Sequence, residues 1–122
     1  MATVNPTFTR HGNHALRFTW ELTQADAAGQ AISAEFADYA DRNVQILGTF
    51  DTSTVVWQGS NDGTNYLTLT DPQGNAISKG AAAIEQITEG ALFQRPSSSG
   101  GGGSQAVTVI CIARRNRGGK ET

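Results

Sequence analysis

The chain has a single cysteine, Cys111. No intramolecular disulfide framework is available, so the fold must rest on a hydrophobic core. A domain of 122 residues buries roughly two-thirds of its unfolded surface, which suffices without disulfides or metal. Cys111 lies in the apolar run Val109-Ile110-Cys111-Ile112-Ala113, where a buried, inert thiol is expected rather than a nucleophile. A lone cysteine suits a reducing compartment. Long apolar runs are also missing: none approaches the roughly 20 residues that a membrane-spanning helix needs. The start, Met1-Ala2-Thr3-Val4-Asn5-Pro6, has neither the basic residues nor the apolar stretch of a signal peptide. A soluble protein made in the cytoplasm and without a membrane partner is expected.

Catalytic signatures are absent as well. There is no Gly-x-Ser-x-Gly elbow, no phosphate-binding loop and no Cys-x-x-Cys pair. His11 and His14 are close to metal-ligand spacing, but no cysteine lies near them, so no metal is assigned. The carboxylates Glu21, Asp38, Asp41, Asp51 and Glu89 are scattered along the chain and form no acid/base pattern. No enzymatic activity and no cofactor are expected.

Charged residues make up only 16% of the chain, and they are unevenly distributed. Between Ala113 and Thr122 stand Arg114, Arg115, Arg117 and Lys120 against Glu121, a net +3, which leaves −5 on residues 1–112 of a chain whose total is −2. An acidic body carries a basic tail. Without interleaved aromatics, such a tail supports no sequence-specific nucleic-acid binding. A solvated tail, or one that docks on an acidic partner, is the stronger expectation. Arg10, Arg114, Arg115, Arg117 and Lys120 are the candidate contact residues.

What the sequence does hold is strand patterning and turn chemistry. Leu16, Phe18 and Trp20 alternate with Arg17 and Thr19, which predicts a half-buried strand. Asn43–Phe50 predicts another, with Gly48 marking a bulge or a close backbone approach. From Thr52 to Leu69 two strand-like runs flank Gly59-Ser60-Asn61-Asp62-Gly63-Thr64-Asn65, a hairpin signal. Asp62 and its neighbours offer calcium-like oxygen ligands, but a turn explains them better. Asp71-Pro72-Gln73-Gly74 predicts a type I turn. Glu35–Asp41 predicts a connection with some helical character, and Ala81–Ile87 a helical or irregular turn. Ala91–Pro96 predicts a strand ended by its proline. Ser97–Ser104, rich in serine and glycine, predicts a flexible hairpin loop or linker. Gln105–Arg114, apolar on both faces, predicts a central strand covered on both sides.

Together these features predict an all-β protein: a single antiparallel β-sandwich, jelly-roll-like, over 15–114, with extended N- and C-terminal arms at 1–14 and 115–122.

One set of residues is also familiar in its order. It runs Tyr39-Ala40-Asp41, Val44-Gln45-Ile46-Leu47-Gly48-Thr49-Phe50, Val55-Val56-Trp57-Gln58-Gly59-Ser60-Asn61-Asp62-Gly63, Leu69-Thr70-Asp71-Pro72-Gln73-Gly74-Asn75-Ala76-Ile77, Arg95-Pro96 and Val107-Thr108-Val109. This order resembles small head decoration, or capsid cement, proteins of tailed bacteriophages. The resemblance implies a viral structural protein on the capsid surface of the virion. Such a protein binds the outside of the shell built by the major capsid protein, as a dimer or trimer, and stabilises the head. It supplies no catalytic residues. A tail-associated virion protein is a related reading. Gln58–Tyr66 also resembles a strand turn of discoidin-type carbohydrate-binding jelly rolls; stacking of Trp57 and Tyr66 on a sugar is the matching expectation, ranked behind packing of both rings against cross-strand neighbours.

Overall fold

The computed structural model describes residues 3–115. Among these residues, eleven strands form two sheets packed as a β-sandwich. In chain order they are β1 (Thr3–Val4), β2 (Thr7–His11), β3 (Ala15–Leu22), β4 (Ala28–Gly29), β5 (Asp41–Thr49), β6 (Thr54–Ser60), β7 (Leu67–Thr68), β8 (Ser78–Lys79), β9 (Ala83–Gln86), β10 (Phe93–Ser99) and β11 (Ala106–Arg114). One sheet runs β2-β3-β11-β5-β9. The other runs β1-β4-β10-β6-β7, with β8 also paired to β6. All pairings are antiparallel except β1 with β4.

Period-two alternation sets which face is buried. On β3, Leu16, Phe18, Trp20 and Leu22 point into the core while Arg17 and Glu21 are exposed. On β11, Val107, Val109, Cys111 and Ala113 are fully buried between the sheets. The other face of β11, with Thr108, Ile110 and Ile112, is only partly covered. The expectation of cover on both sides is corrected here: β11 is central in its sheet, yet its second apolar face looks outward.

Several local expectations change in the same way. The segment read as an N-terminal arm contributes β1 to one sheet and β2 to the edge of the other. Thr7, Phe8 and Thr9 favour extended backbone, and the Phe8 ring packs 5.4 Å from both Phe18 and Phe36. Ala83–Gln86 is an edge strand paired to β5 rather than a helical turn. Before β5, the helical character of Glu35–Asp41 shrinks to a single 3-10 turn at Ala34–Phe36, capped by Ser33.

Strand β10 continues through Pro96 instead of stopping there. Its ladder partner, Trp57, donates its N–H to Ile77 O (3.1 Å) and accepts from Leu69 N (2.9 Å). The Pro96–Trp57 pair is therefore a non-hydrogen-bonded one, and the proline's missing donor costs the β6–β10 ladder nothing.

The serine-glycine stretch is no free linker either. Ser97–Ser99 belong to β10, and the rest turns the chain from one sheet to the other. Asp51 anchors that corner: its carbonyl accepts from Gly102 N (3.0 Å) and its Oδ2 from Ser104 N (2.9 Å). Asp51 and Thr52 adopt positive φ, 48° and 68°, to present these acceptors.

Gly48 bears out the close approach expected of it. Its φ is +120°, and a Cβ would lie 2.4 Å from Ala106 O on the neighbouring β11. Gly48→Ala should destabilise the fold by more than about 1 kcal/mol, read as a lower urea midpoint. An unchanged midpoint would show that this crossing relaxes freely.

Candidate functional site

The candidate contact residues within the described region gather at one end of the sandwich. β2 ends there at His11, β3 begins at Ala15, and β11 leaves at Arg114. The 3-10 turn brings Tyr39 to the same place, its chain held by Tyr39 N donating to Phe36 O (3.0 Å). Arg10 Nη1 donates to the Tyr39 hydroxyl at 3.4 Å. The Arg115 guanidinium sits 5.1 Å from the Tyr39 ring centre, within cation–π range. Residues 105 positions apart in sequence therefore share one aromatic side chain. Arg114 is exposed at the end of β11, in register with Asp41 and Ala15. Arg117 and Lys120 lie outside the described residues.

Sequence reasoning missed two members of this end. Tyr39 entered only within the Glu35–Asp41 connection and at the head of the resembling residue order, yet it is the pivot, a buried residue reached by two arginines. Arg42 was passed over altogether. It is 2% exposed, on the inward face of β5. Its Nε donates to Tyr39 O (2.8 Å) and its Nη2 to Phe36 O (3.2 Å), while Nη1 has no hydrogen-bond partner. No carboxylate pairs with it: among the described residues the one ion pair is Lys79 Nζ–Glu85 Oε2 at 2.8 Å. Burial lowers the Arg42 pKa, though an arginine so placed still keeps its proton. The signal for Arg42 was available, because it stands two residues before Val44 and four before Ile46, on the same alternation.

Arg42 fixes this end mechanically. By clamping two carbonyls of the 3-10 connection, it sets Tyr39 in place for Arg10 and Arg115. Cys111 lies beside it on β11, and burial pushes its thiol up to about 12, with the Arg42 charge opposing in part. A thiol so placed stays protonated and inert near neutrality, as its apolar surroundings in sequence foretold.

The β6–β7 connection is a self-contained turn. Ser60 Oγ donates to Asp62 Oδ1 (2.7 Å) and accepts from Gly63 N (2.9 Å). The Asp62 carboxylate also accepts from Thr64 N, Asn65 N and Asn65 Nδ2, each at 2.8 Å. Its acceptor capacity is spent on the loop itself, which is why the segment is a turn and not a cation loop. The hairpin expected here forms, with Gln58 opposite Thr68 and Gly59 opposite Leu67. The two leucines part company, however: Leu69 is buried while Leu67 is 75% exposed. Both line an open cleft of about 390 Å³ with Glu89 and Ala91. Glu89 holds Thr70 through its backbone N–H (2.7 Å) and its hydroxyl (2.5 Å), and these bonds lower its pKa.

The aromatics proposed to stack on a sugar are not presented for it. Trp57 is 1% exposed, with its indole N–H donating to Gln94 Oε1 at 3.0 Å. Tyr66 is half-buried, and Arg95 covers one ring face at 3.8 Å. Among the described residues no group of three His, Cys, Asp or Glu side chains converges as metal ligands, and no helix is long and apolar enough to cross a membrane.

No protein-family model, curated protein or solved structure matches the chain. The likeness to phage decoration proteins thus stands on the residues quoted for it alone.

The Asp62 turn makes a signed pH prediction. Hydrogen bonds from Asn65, Thr64 and Ser60 hold its carboxyl well below the ordinary value of 3.8. The folded state therefore binds this proton less tightly than the unfolded chain. The resulting stability is present above the unfolded pKa and is lost as pH falls through the folded value. Asp62→Ala should lower the melting temperature at neutral pH, and the gap to wild type should close in acid. A gap that stays constant down to the acid limit would remove the carboxylate from the account.

Proposed function

We propose that the protein is a bacteriophage structural protein, a decoration or cement protein that binds the outside of the major capsid protein shell and stabilises the head. The observation that carries this reading is the basic end. Arg10 and Arg115 converge on Tyr39, Arg114 stands beside them, and the chain's most basic segment continues from that point. The rest of residues 1–112 is net negative; Asp38 and Asp41 are exposed at the same end as the arginines, so the positive excess belongs to the sequence from Arg114 onward. The resemblance in residue order, which spans about Tyr39 to Arg114, falls on β5, β6, the Asp62 turn, β10 and β11, strands of both sheets. A jelly-roll-like arrangement of that body belongs to the same proposal.

The mechanism is avidity. A single basic end offers only modest, salt-screened attraction to an acidic capsid surface. Contacts repeated around a shell, with terminal residues ordering on neighbouring subunits, convert weak binding into a stable lattice. A rigid sandwich suits this role, because each copy presents the same groups at the same geometry.

The carbohydrate-binding reading loses its main support with Trp57 enclosed in the core. A tail-associated position in the virion uses the same surface and differs only in its partner.

Adding the purified protein to heads that lack it should raise their thermal rupture temperature, followed by light scattering or release of DNA. Heads that neither bind the protein nor rupture later would contradict the proposal. Replacing Arg115, Arg117 and Lys120 by glutamine should weaken attachment more at low salt than at high salt. Equal loss at both would rule out an electrostatic role for the tail.

A further inference from the structure

The outward face of the β2-β3-β11-β5-β9 sheet has the anatomy of an interface. Ile110 and Ile112 on β11 and Leu47 on β5 are only partly covered, and Ile84 on β9 is 64% exposed. The register places Thr19, Ile110, Gln45 and Ile84 in one row across four strands. The rows beside it hold Glu21, Thr108 and Leu47 on one side, and Arg17, Ile112, Asn43 and Gln86 on the other. Ile110, Ile112, Leu47 and Ile84 are interspersed with Thr19, Gln45 and Asn43 and flanked by Arg17 and Glu21, the mixed composition of a non-obligate interface.

The charges on this face are arranged for self-pairing. Arg17 and Glu21 are both exposed on β3, one residue pair to either side of the Thr19–Ile110 row. Thr108 Oγ1 donates to Glu21 Oε1 at 2.7 Å, which steadies the carboxylate and leaves Oε2 open. We infer that this face is a dimer interface between two copies of the chain, related by a two-fold axis that runs across the strands along the Thr19–Ile110–Gln45–Ile84 row.

That axis reverses strand direction while keeping each strand over its own copy. Ile110 then meets the partner's Ile110, and Ile84 the partner's Ile84. Arg17 comes over the partner's Glu21, and Glu21 over the partner's Arg17, giving two cross-interface ion pairs from one symmetry operation. Sheets stacked face to face lie about 10 Å apart, a span that arginine and glutamate bridge together. The competing two-fold, along the strands through β11, would set Glu21 over the partner's Leu47 and Arg17 over the partner's Asn43. That arrangement stacks Ile112 on the partner's Ile112, but it covers a carboxylate with an apolar side chain and gains no ion pair. The first axis sets Leu47 over the partner's Asn43 and Ile112 over the partner's Thr108, and it is the two ion pairs that select it. At the outer rows, Arg114 falls over the partner's Ala106, so no like charges are opposed.

The inference concerns the free protein and does not rest on the capsid reading. Sedimentation velocity of the full chain across a concentration series should show a dimer. Ile110→Asp should yield a monomer. Arg17→Glu and Glu21→Arg should each weaken dimerisation tenfold or more, since either change creates two like-charge oppositions. The combined R17E/E21R variant should regain the dimer, because the swap restores both pairs. Near-UV circular dichroism of the buried tryptophans verifies that each variant is folded, and the exposed positions 17 and 21 keep the test valid if Ile110→Asp does not fold. A chain that stays monomeric throughout would overturn the inference. So would a folded Ile110→Asp variant that still dimerises, or a folded double swap that fails to recover.

Discussion

Trp20 and Trp57 meet edge to face at 5.6 Å between ring centres, and this contact joins the two sheets. Trp20 belongs to β3 in one sheet and Trp57 to β6 in the other. Both are essentially sealed from solvent. Each indole N–H is satisfied, Trp20 by Gln30 O at 2.9 Å and Trp57 by Gln94 Oε1 at 3.0 Å, so two large rings enter the core without stranding a donor. Gln94 is itself buried and spends its amide on Glu89 O and Ala91 O, which ties the approach to β10 into the same network. Further rings extend the contact: Phe18 lies 6.3 Å from Trp20, Phe36 5.5 Å from Phe18, and Tyr39 6.3 Å from Phe36. An aromatic column thus runs from the centre of the sandwich to the end where Arg10 and Arg115 gather. The basic end is rigid because its pivot is the last member of the core.

Buried polar groups set the boundary conditions of that end. Arg42 enters the sandwich as a charge without a carboxylate and is held by the carbonyls of Tyr39 and Phe36. Removing such a group from its partners is costly, as is leaving it partly unpaired. The clamp therefore resists displacement of the 3-10 connection. Together with the aromatic column, it couples the position of Tyr39 to the packing of β5 and β3. The opposite end follows another rule, with Asp51 at positive φ collecting the glycine-rich corner through its carbonyl and carboxylate. One end presents cations on a fixed ring, and the other is closed by backbone hydrogen bonds.

Strong period-two patterns made β3, β5, β6 and β11 legible, because burial on one face writes itself into the sequence as alternation. The Asp62 turn and the close approach at Gly48 were legible through local chemistry. β9 was not, since Ala83–Gln86 is an edge strand whose outward Ile84 and inward Glu85 invert the expected polarity. Glu85 pairs with Lys79 rather than facing water alone. Pro96 misled because its tolerance depends on which ladder position it takes, a fact of register and not of composition. The serine-glycine stretch looked like a linker for want of any side chain to pack. Its order comes from Asp51, which is distant in sequence. At the candidate site, the basic residues were visible as charge, but their convergence on Tyr39 depends on β2 and β11 flanking β3, which no local pattern specifies.

Docking of this sandwich by its basic end on a capsid surface is our proposal, and a cryo-EM map of heads carrying the protein would show the orientation of each copy. Density is expected on the outer shell, with the end bearing Arg10, Tyr39 and Arg115 turned toward the major capsid protein. Density with that end pointing into solvent, or found on the tail and not on the head, would contradict it.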